Sequence, residues 1–345
     1  MMELTRRSAL RAAGLAALGA ASGGVLAACG SSGSANSSGT PAVSLRIGYI
    51  ADVHGAGLVK TADAQGYWSK AGVNAQTSVF SAGPAEITAI EAGKLDIAYI
   101  GPGALYSAMA GKVDVIAIDS VSSADALVAD PSQVPSLSAL KGKKIGYATG
   151  TSSQMILDLA LAKAGLTTKD VDLVPMTQTL IPTAFLSGQI QVASPFPAGT
   201  QQILAKSSTA KVLVSDSSFA PQYVFPEVWV ASPALVKNHP QSVLAFLKAF
   251  IMASDYRRAH LAAAVSLAAK AADSTTAAQQ YLSSKTTWLS SAAIAADNAA
   301  GTTDKWFTAL NNLFVTTGQA TTVAAPASYN NTALFKQAYG EVYAG

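Results

Sequence analysis

Leu45-Arg46-Ile47-Gly48-Tyr49-Ile50 and Lys144-Ile145-Gly146-Tyr147-Ala148 are two versions of one short, mostly apolar run, and the stretches of chain downstream of each decide the fold. The first has the character of a strand buried on both faces. A helical pattern runs over residues 58–70 and stops at Ala71-Gly72, a C-cap pairing. Residues 73–80 read as a second strand. Ser81-Ala82-Gly83-Pro84 turns into a helix over 85–92, and residues 95–100 form a third strand that runs into Gly101-Pro102-Gly103. The second run repeats this order. Thr149-Gly150-Thr151-Ser152-Ser153 is its loop, residues 155–163 its helix with Ala164-Gly165 as the cap, and residues 171–175 its next strand. Thr183-Ala184, Gly188, Ile190, Val192 and Ala193 then carry the spacing of Thr88-Ala89, Gly93, Leu95, Ile97 and Ala98. Two β-α-β-α-β units predict an α/β protein of two lobes with largely parallel sheets.

Ligands of parallel α/β sheets bind outside the carboxyl ends of the strands. Loops 51–55, 81–84, 101–103, 149–154 and 194–198 are therefore expected to line a cleft between the lobes. Ser81-Ala82-Gly83 and Thr151-Ser152-Ser153 precede helices, where free N–H groups and the helix dipole favour an anion; ordinary Ser/Thr capping is the alternative. Gly101, Gly103, Ser194 and Phe196 complete the set of expected ligand-binding loop residues. Asp52 and His54 come directly after the first strand. Asp52 would face a cationic group and His54 would donate to an anionic one. The alternative has Asp52 accepting N–H groups of its own turn and His54 on the surface.

The rest of the chain is less regular. Residues 226–231 read as a strand returning from the second lobe, and residues 240–256 as a strong amphipathic helix. Ala-rich helices are expected over 258–272, 276–283, 291–299, 303–314 and 332–343, packed on the first lobe, with Trp288 and Trp306 in its core. The lobes are drawn at 44–122 with 236–345, and at 123–235.

Composition and motifs narrow the function. The formal net charge of +3 has no basic footprint of a nucleic-acid binder. The three histidines, His54, His239 and His260, have no metal spacing, and the paired-Cys, HExxH, GxSxG and P-loop patterns are absent from the sequence. Asp114, Asp119, Asp125 and Asp130 read as solvated. The expectation is a protein without catalytic residues, metal or cofactor.

The N-terminus supplies an address. Arg6, Arg7 and Arg11 precede an uncharged run over 12–28, short of the roughly 20 apolar residues that span a bilayer. Residues 1–28 have the layout of a signal peptide. Leu26-Ala27-Ala28-Cys29 resembles a bacterial lipobox, and residues 5–10 resemble a twin-arginine signal that lacks the usual Phe, so the export route stays open. Cys29 is the only cysteine, and lipidation there explains an odd thiol in an exported chain. Residues 29–43 read as a lipid-anchored flexible tether.

Ile47-Gly48-Tyr49, Val53-His54-Gly55-Ala56-Gly57-Leu58-Val59, Gly66-Tyr67-Trp68 with Ala71-Gly72-Val73, the stretch from Ala92-Gly93-Lys94 to Gly101-Pro102, and Leu140-Lys141-Gly142-Lys143-Lys144-Ile145-Gly146 together resemble the nitrate/sulfonate/taurine-type substrate-binding proteins of ABC importers. Thiamine-precursor-binding proteins belong to the same superfamily. The resemblance covers most of residues 45–256. It implies a type II periplasmic-binding fold, two α/β lobes joined by two hinge strands, closing on a small ligand. It also implies an ABC permease and its ATPase as partners, and a monomer tethered at the membrane. Ser194-Pro195-Phe196-Pro197 lacks the acidic residue that family members often carry there. Asp52 is uncomfortable beside a bare anion. A taurine-like aminosulfonate or related organic sulfonate is thus the expected ligand, a thiamine-precursor pyrimidine the alternative, and a non-transport sensor or an enzyme on the same fold the remaining ones.

Overall fold

The computed structural model describes residues 42–344. The leader, Cys29 and nearly all of the tether lie outside the described residues. Among the described residues, eleven strands occur in chain order: β1 (Val43–Ile50), β2 (Val73–Phe80), β3 (Ile97–Ile100), β4 (Asp114–Ser122), β5 (Ala126–Ala129), β6 (Lys144–Tyr147), β7 (Asp172–Pro175), β8 (Val192–Ala193), β9 (Lys211–Ser215), β10 (Phe225–Ala231) and β11 (Thr286–Thr287). They form two sheets, ordered β11-β4-β10-β3-β1-β2 and β7-β6-β8-β5-β9.

The duplication is visible in both topology and packing. In each unit the first strand lies between the second and the third and pairs with both in parallel: β1 with β2 and β3, β6 with β7 and β8. A Cβ on Gly48 would sit 2.6 Å from Leu95 Cδ1, and one on Gly146 would sit 2.5 Å from Ile190 Cδ1. The same glycine in both copies lets the matching apolar side chain close over the first strand.

The sheets are mixed rather than largely parallel. β10 runs antiparallel between β3 and β4, and β5 antiparallel between β8 and β9. Each of these strands arrives from the other sheet and so enters its host from the opposite end. The chain crosses between the sheets at residues 123–125 and again at 216–224. Residues 225–231 accordingly sit in the first sheet, not with the second lobe as the boundary at 235 has it.

Local chemistry explains the element ends. The helix Gly55–Gln65 stops at Gly66, whose φ of +66 suits glycine, and a short helix Tyr67–Lys70 comes next, where the pattern alone suggests one helix. The helix Pro240–Ala259 starts with a proline in its first turn and buries Val243, Leu244, Phe246, Leu247, Phe250 and Ile251 against the first sheet's core. Each such side chain contributes roughly 1.5–3 kcal/mol relative to exposure, so packing rather than propensity holds the helix. Phe246 stacks on Trp68 and tilts against Trp229, with ring centroids 5.9 and 5.4 Å apart. Trp288 and Trp306 are half-buried at the margin of this core instead of inside it. Among the described residues, no helix is long and apolar enough to cross a membrane.

Candidate functional site

An inner cavity of about 130 Å³ lies between the carboxyl ends of the two sets of parallel strands. That is of the order of the ~150 Å³ cavity known to admit one benzene ring. Its wall takes residues from all five expected loops: Asp52 and His54, Gly83, Gly101, Thr151 and Ser152, and Phe196. An adjoining cleft of about 710 Å³ shares Ile50, Ala51, Pro84, Thr151, Phe196 and Ala198 with it and adds Ser81 and Ala82. Gly103, Ser153 and Ser194 line neither.

These three have structural work instead. Ser153 Oγ donates to Ser194 O and accepts from Ala148 N, and Ser194 Oγ donates to Ser153 O at 2.6 Å. The pair ties the end of β8 to the first turn of the helix Ser152–Lys163. Gly103 belongs to the first lobe and packs on the second: a Cβ there would lie 2.1 Å from Ser152 N.

Asp52 accepts N–H groups of its own turn and also lines the cavity. Its Oδ1 accepts from His54 N at 3.0 Å and Gly55 N at 2.8 Å, capping the helix Gly55–Gln65, and the same carboxylate lines the cavity. Burial pushes its carboxyl up to about 7, with Asp119 adding repulsion and the two N–H donors opposing the shift.

His54 corrects its prediction. It is buried, not on the surface, with its ring 5.1 Å from that of Trp288. Its Nε2 lies 2.9 Å from Thr286 Oγ1, and that hydroxyl gives its single hydrogen to Leu282 O. Nε2 must therefore be the protonated nitrogen, and its hydrogen is already engaged. Burial pushes the imidazolium down to about 4, so the ring is neutral. A neutral ring whose N–H is held by Thr286 does not donate to a ligand anion, and only Nδ1 remains, as an acceptor.

The acids that give the cavity its character escape the sequence. Asp125 and Glu227 line it, and both are buried. Asp125 Oδ1 accepts from Ser152 Oγ at 2.9 Å, and Glu227 Oε2 from the Tyr99 hydroxyl at 2.7 Å. Burial pushes Asp125 up to about 6 and Glu227 well above the usual carboxylate range. Asp216 is pushed up beside Asp125 by burial and by that neighbour. Among the described residues, no Lys or Arg lines the inner cavity or the adjoining cleft. The reading of Asp119 and Asp125 as solvated is thus overturned. Asp119 is buried against Arg257 in the core, and Asp125 stands where the chain crosses between sheets. A signal existed for both cavity acids, since each is a lone carboxylate beside or inside an apolar strand, a placement uncommon without a partner or a task.

The aromatic residues divide. Tyr49 and Trp229 fill the core, Tyr223 packs at its edge, and Phe196 and Tyr99 line the cavity. Gln279, with Ala278 and Leu282, reaches the cavity from the C-terminal helices; no pattern in the sequence marks it. Among the described residues, no group of three His, Cys, Asp or Glu side chains is placed to hold a metal ion.

A bilobal α/β fold with two interlobe crossings and a cavity at the facing strand ends defines the class of periplasmic-binding folds. A family model described as NMT1/THI5 like matches residues 56–264, and the chain belongs to that family. A Brucella abortus protein named as a binding protein is 33% identical over 289 residues, which are 83% of this chain and 90% of that protein. A Bacillus subtilis protein named for binding aliphatic sulfonates is 26% identical over 58% of this chain and 60% of its own length. A Haemophilus influenzae protein named for thiamine biosynthesis is 30% identical over 51% and 56%. Among solved structures, the periplasmic aliphatic sulphonate binding protein SsuA from Escherichia coli superposes with a TM-score of 0.64 at 20% identity, covering 83% of this chain and 91% of that one.

Proposed function

We propose that this protein is the extracytoplasmic solute-binding component of an ABC importer. It captures a small organic molecule in the interlobe cavity and presents it, lobes closed, to a permease and its ATPase. It acts as a monomer, held at the membrane by lipid on Cys29 and the tether 29–43, and it binds its solute without transforming it. The family and the relatives named as binding proteins support this reading, as does hinge closure as a known switching mode of the fold.

One observation carries the choice of solute: Asp52, Asp125 and Glu227 face a cavity with no lining Lys or Arg among the described residues. A solute with a basic or N–H-rich end suits this wall, because an anion there is repelled by each ionised carboxylate and finds no lining cation to offset it. A taurine-like aminosulfonate satisfies this with its ammonium among the carboxylates. Its sulfonate then lies toward Gly83, at the start of the helix Gly83–Glu91 and away from the three acids. The same wall and the single-ring size of the cavity favour a second reading, an amino-substituted pyrimidine of the thiamine-precursor kind, lying against Tyr99 and Phe196.

Calorimetric titration of the leader-free protein against taurine, 4-aminopyrimidine, ethanesulfonate and nitrate tests both. Binding of taurine or the aminopyrimidine, with ethanesulfonate at least tenfold weaker, is expected. Tight binding of nitrate with neither nitrogen compound bound would defeat the reading, and turnover of a bound compound during long incubation would replace it with an enzymatic one.

A further inference from the structure

The sequence pattern places the C-terminal helices on the first lobe, yet one of them reaches the cavity. The helix Thr276–Ser284 packs on its neighbour Leu261–Ala271 and also on Pro197–Lys206, a helix of the second lobe whose start, Pro197 and Ala198, lines the same cavity. Its far end is anchored at two functional places. Lys285 O accepts from Ser123 N at 2.8 Å and from Ser123 Oγ at 2.7 Å, and Ser123 is the first residue of the crossing between the sheets. Thr286 holds His54 and begins β11, which pairs with β4.

On this helix Gln279 is 3% exposed and lines the cavity. Its amide is held from one side only: Nε2 donates to Ser274 Oγ at 3.0 Å, while Oε1 is buried without a hydrogen-bond partner among the described residues. A buried acceptor left without a donor is costly to the fold. The side-chain donors that line the cavity are already engaged, Tyr99 with Glu227, Ser152 with Asp125, Thr151 with Ala148 O and His54 with Thr286, which leaves the solute to supply the missing one. We propose that Gln279 is a solute-contacting, specificity-determining residue whose Oε1 accepts an N–H from the nitrogen-bearing end of the bound molecule, an inference that rests on the solute-binding reading above. The helix Thr276–Ser284 then belongs to the binding site as a third wall, carried by neither β-α-β-α-β unit.

The test uses the leader-free protein with taurine and 4-aminopyrimidine as probes, each titrated calorimetrically into wild type, Gln279→Met and Gln280→Met. Gln280 is the exposed next residue on the same helix. The compound that binds wild type is expected to bind Q279M at least tenfold more weakly and Q280M with unchanged affinity, while the ligand-free melting temperature of Q279M equals or exceeds that of wild type. If Q279M fails to fold, Gln279→Ala is read in the same way. Wild-type binding with unchanged affinity in Q279M, or an equal loss in Q280M, overturns the inference and leaves the solute reading standing. Binding of neither probe to wild type overturns both.

Discussion

Arg257 Nη2 lies 2.8 Å from Asp119 Oδ1, and neither side chain is exposed to solvent. The pair connects the core of the first lobe to the cavity wall. Arg257 Nη1 donates to His54 O at 2.7 Å, its guanidinium sits 4.6 Å from the centre of the Trp288 ring, and Asp119 Oδ1 also accepts from Trp229 Nε1 at 3.1 Å. A cation from the helix Pro240–Ala259 thus holds the backbone of the loop that carries Asp52 and His54.

Removing the cation alone should be severe. Arg257→Leu leaves Asp119 buried and unpaired, and a loss of about 3–5 kcal/mol is expected, read from urea unfolding of the leader-free protein. Arg257→Leu combined with Asp119→Leu should recover part of that loss, because no charge is then left without a partner. Equal stability of the single variant and wild type would refute the role given to the pair.

Gly103 tests the contact between lobes. Its added Cβ would lie 2.1 Å from both Ser152 N and Thr151 C, main-chain atoms of the opposite lobe that cannot rotate away. Gly103→Ala should therefore favour the open arrangement. An increased radius of gyration in solution scattering and at least tenfold weaker solute binding are expected, with the circular dichroism of the folded protein unchanged. A variant that binds as wild type does would show that the contact does not govern closure.

Ser153, behind the site, and Asp125, on its wall, should respond differently to substitution. Ser153→Ala removes the donor to Ser194 O and the acceptor for Ala148 N, so it should lower stability by about 1–3 kcal/mol and leave affinity within twofold. Asp125→Asn keeps the size of the side chain but removes a cavity charge. It should leave stability equal or higher and weaken an amine-bearing solute by about tenfold or more. Exchange of these outcomes would mean that the serine pair binds the solute and the aspartate serves the fold.

Acidity offers a further check. Asp52 and Asp125 have folded-state pKa values raised to about 7 and about 6. In the unfolded chain such groups ionise near 4. Between those values the two carboxyls hold more protons in the folded protein than in the unfolded one, which outweighs the single proton that His54, pushed down to about 4, gives up on folding, so the stability of the ligand-free protein should fall as pH rises from about 4 to 7. A cationic solute prefers the ionised wall, so its apparent affinity should rise over pH 5 to 8. Denaturation and titration series across this range would show opposite slopes, and parallel slopes would contradict a cation-binding wall.

The anchor is separable from the site. Cys29→Ser, expressed with the full leader, should release the protein from the membrane fraction into the medium with solute affinity unchanged. Retention in the membrane would remove lipidation at Cys29 from the proposal, and a loss of affinity would place the N-terminus in the binding site.

The duplicated strand–helix pattern is legible because it is local. Burial of alternating or continuous apolar runs, glycines that end helices, and the recurrence of Gly48 with Leu95 as Gly146 with Ile190 in matched positions are all displayed along short stretches of chain. The α/β class, the two units and the loops that face the cleft come from that pattern, since a ligand site at the carboxyl ends of parallel strands is a property of topology. Side-chain roles at those loops are not legible in this way. Whether Asp52 caps or binds, whether His54 is neutral, and whether Ser153 and Ser194 face the cleft or each other all depend on geometry and partners that only the folded chain assembles.

Tertiary structure alone decided the chemistry of the cavity. It brought Asp125 and Glu227 to the same wall from the two stretches near the interlobe crossings, paired Asp119 with Arg257 across 138 positions, and carried Gln279 in from the C-terminal helices. The physical reason is the range of the forces involved. Backbone geometry and apolar periodicity are set by near neighbours, and the sequence displays them directly. The charge state of a carboxylate depends on what surrounds it in space, on water excluded and on cations placed or withheld, and that environment exists only once the chain has folded.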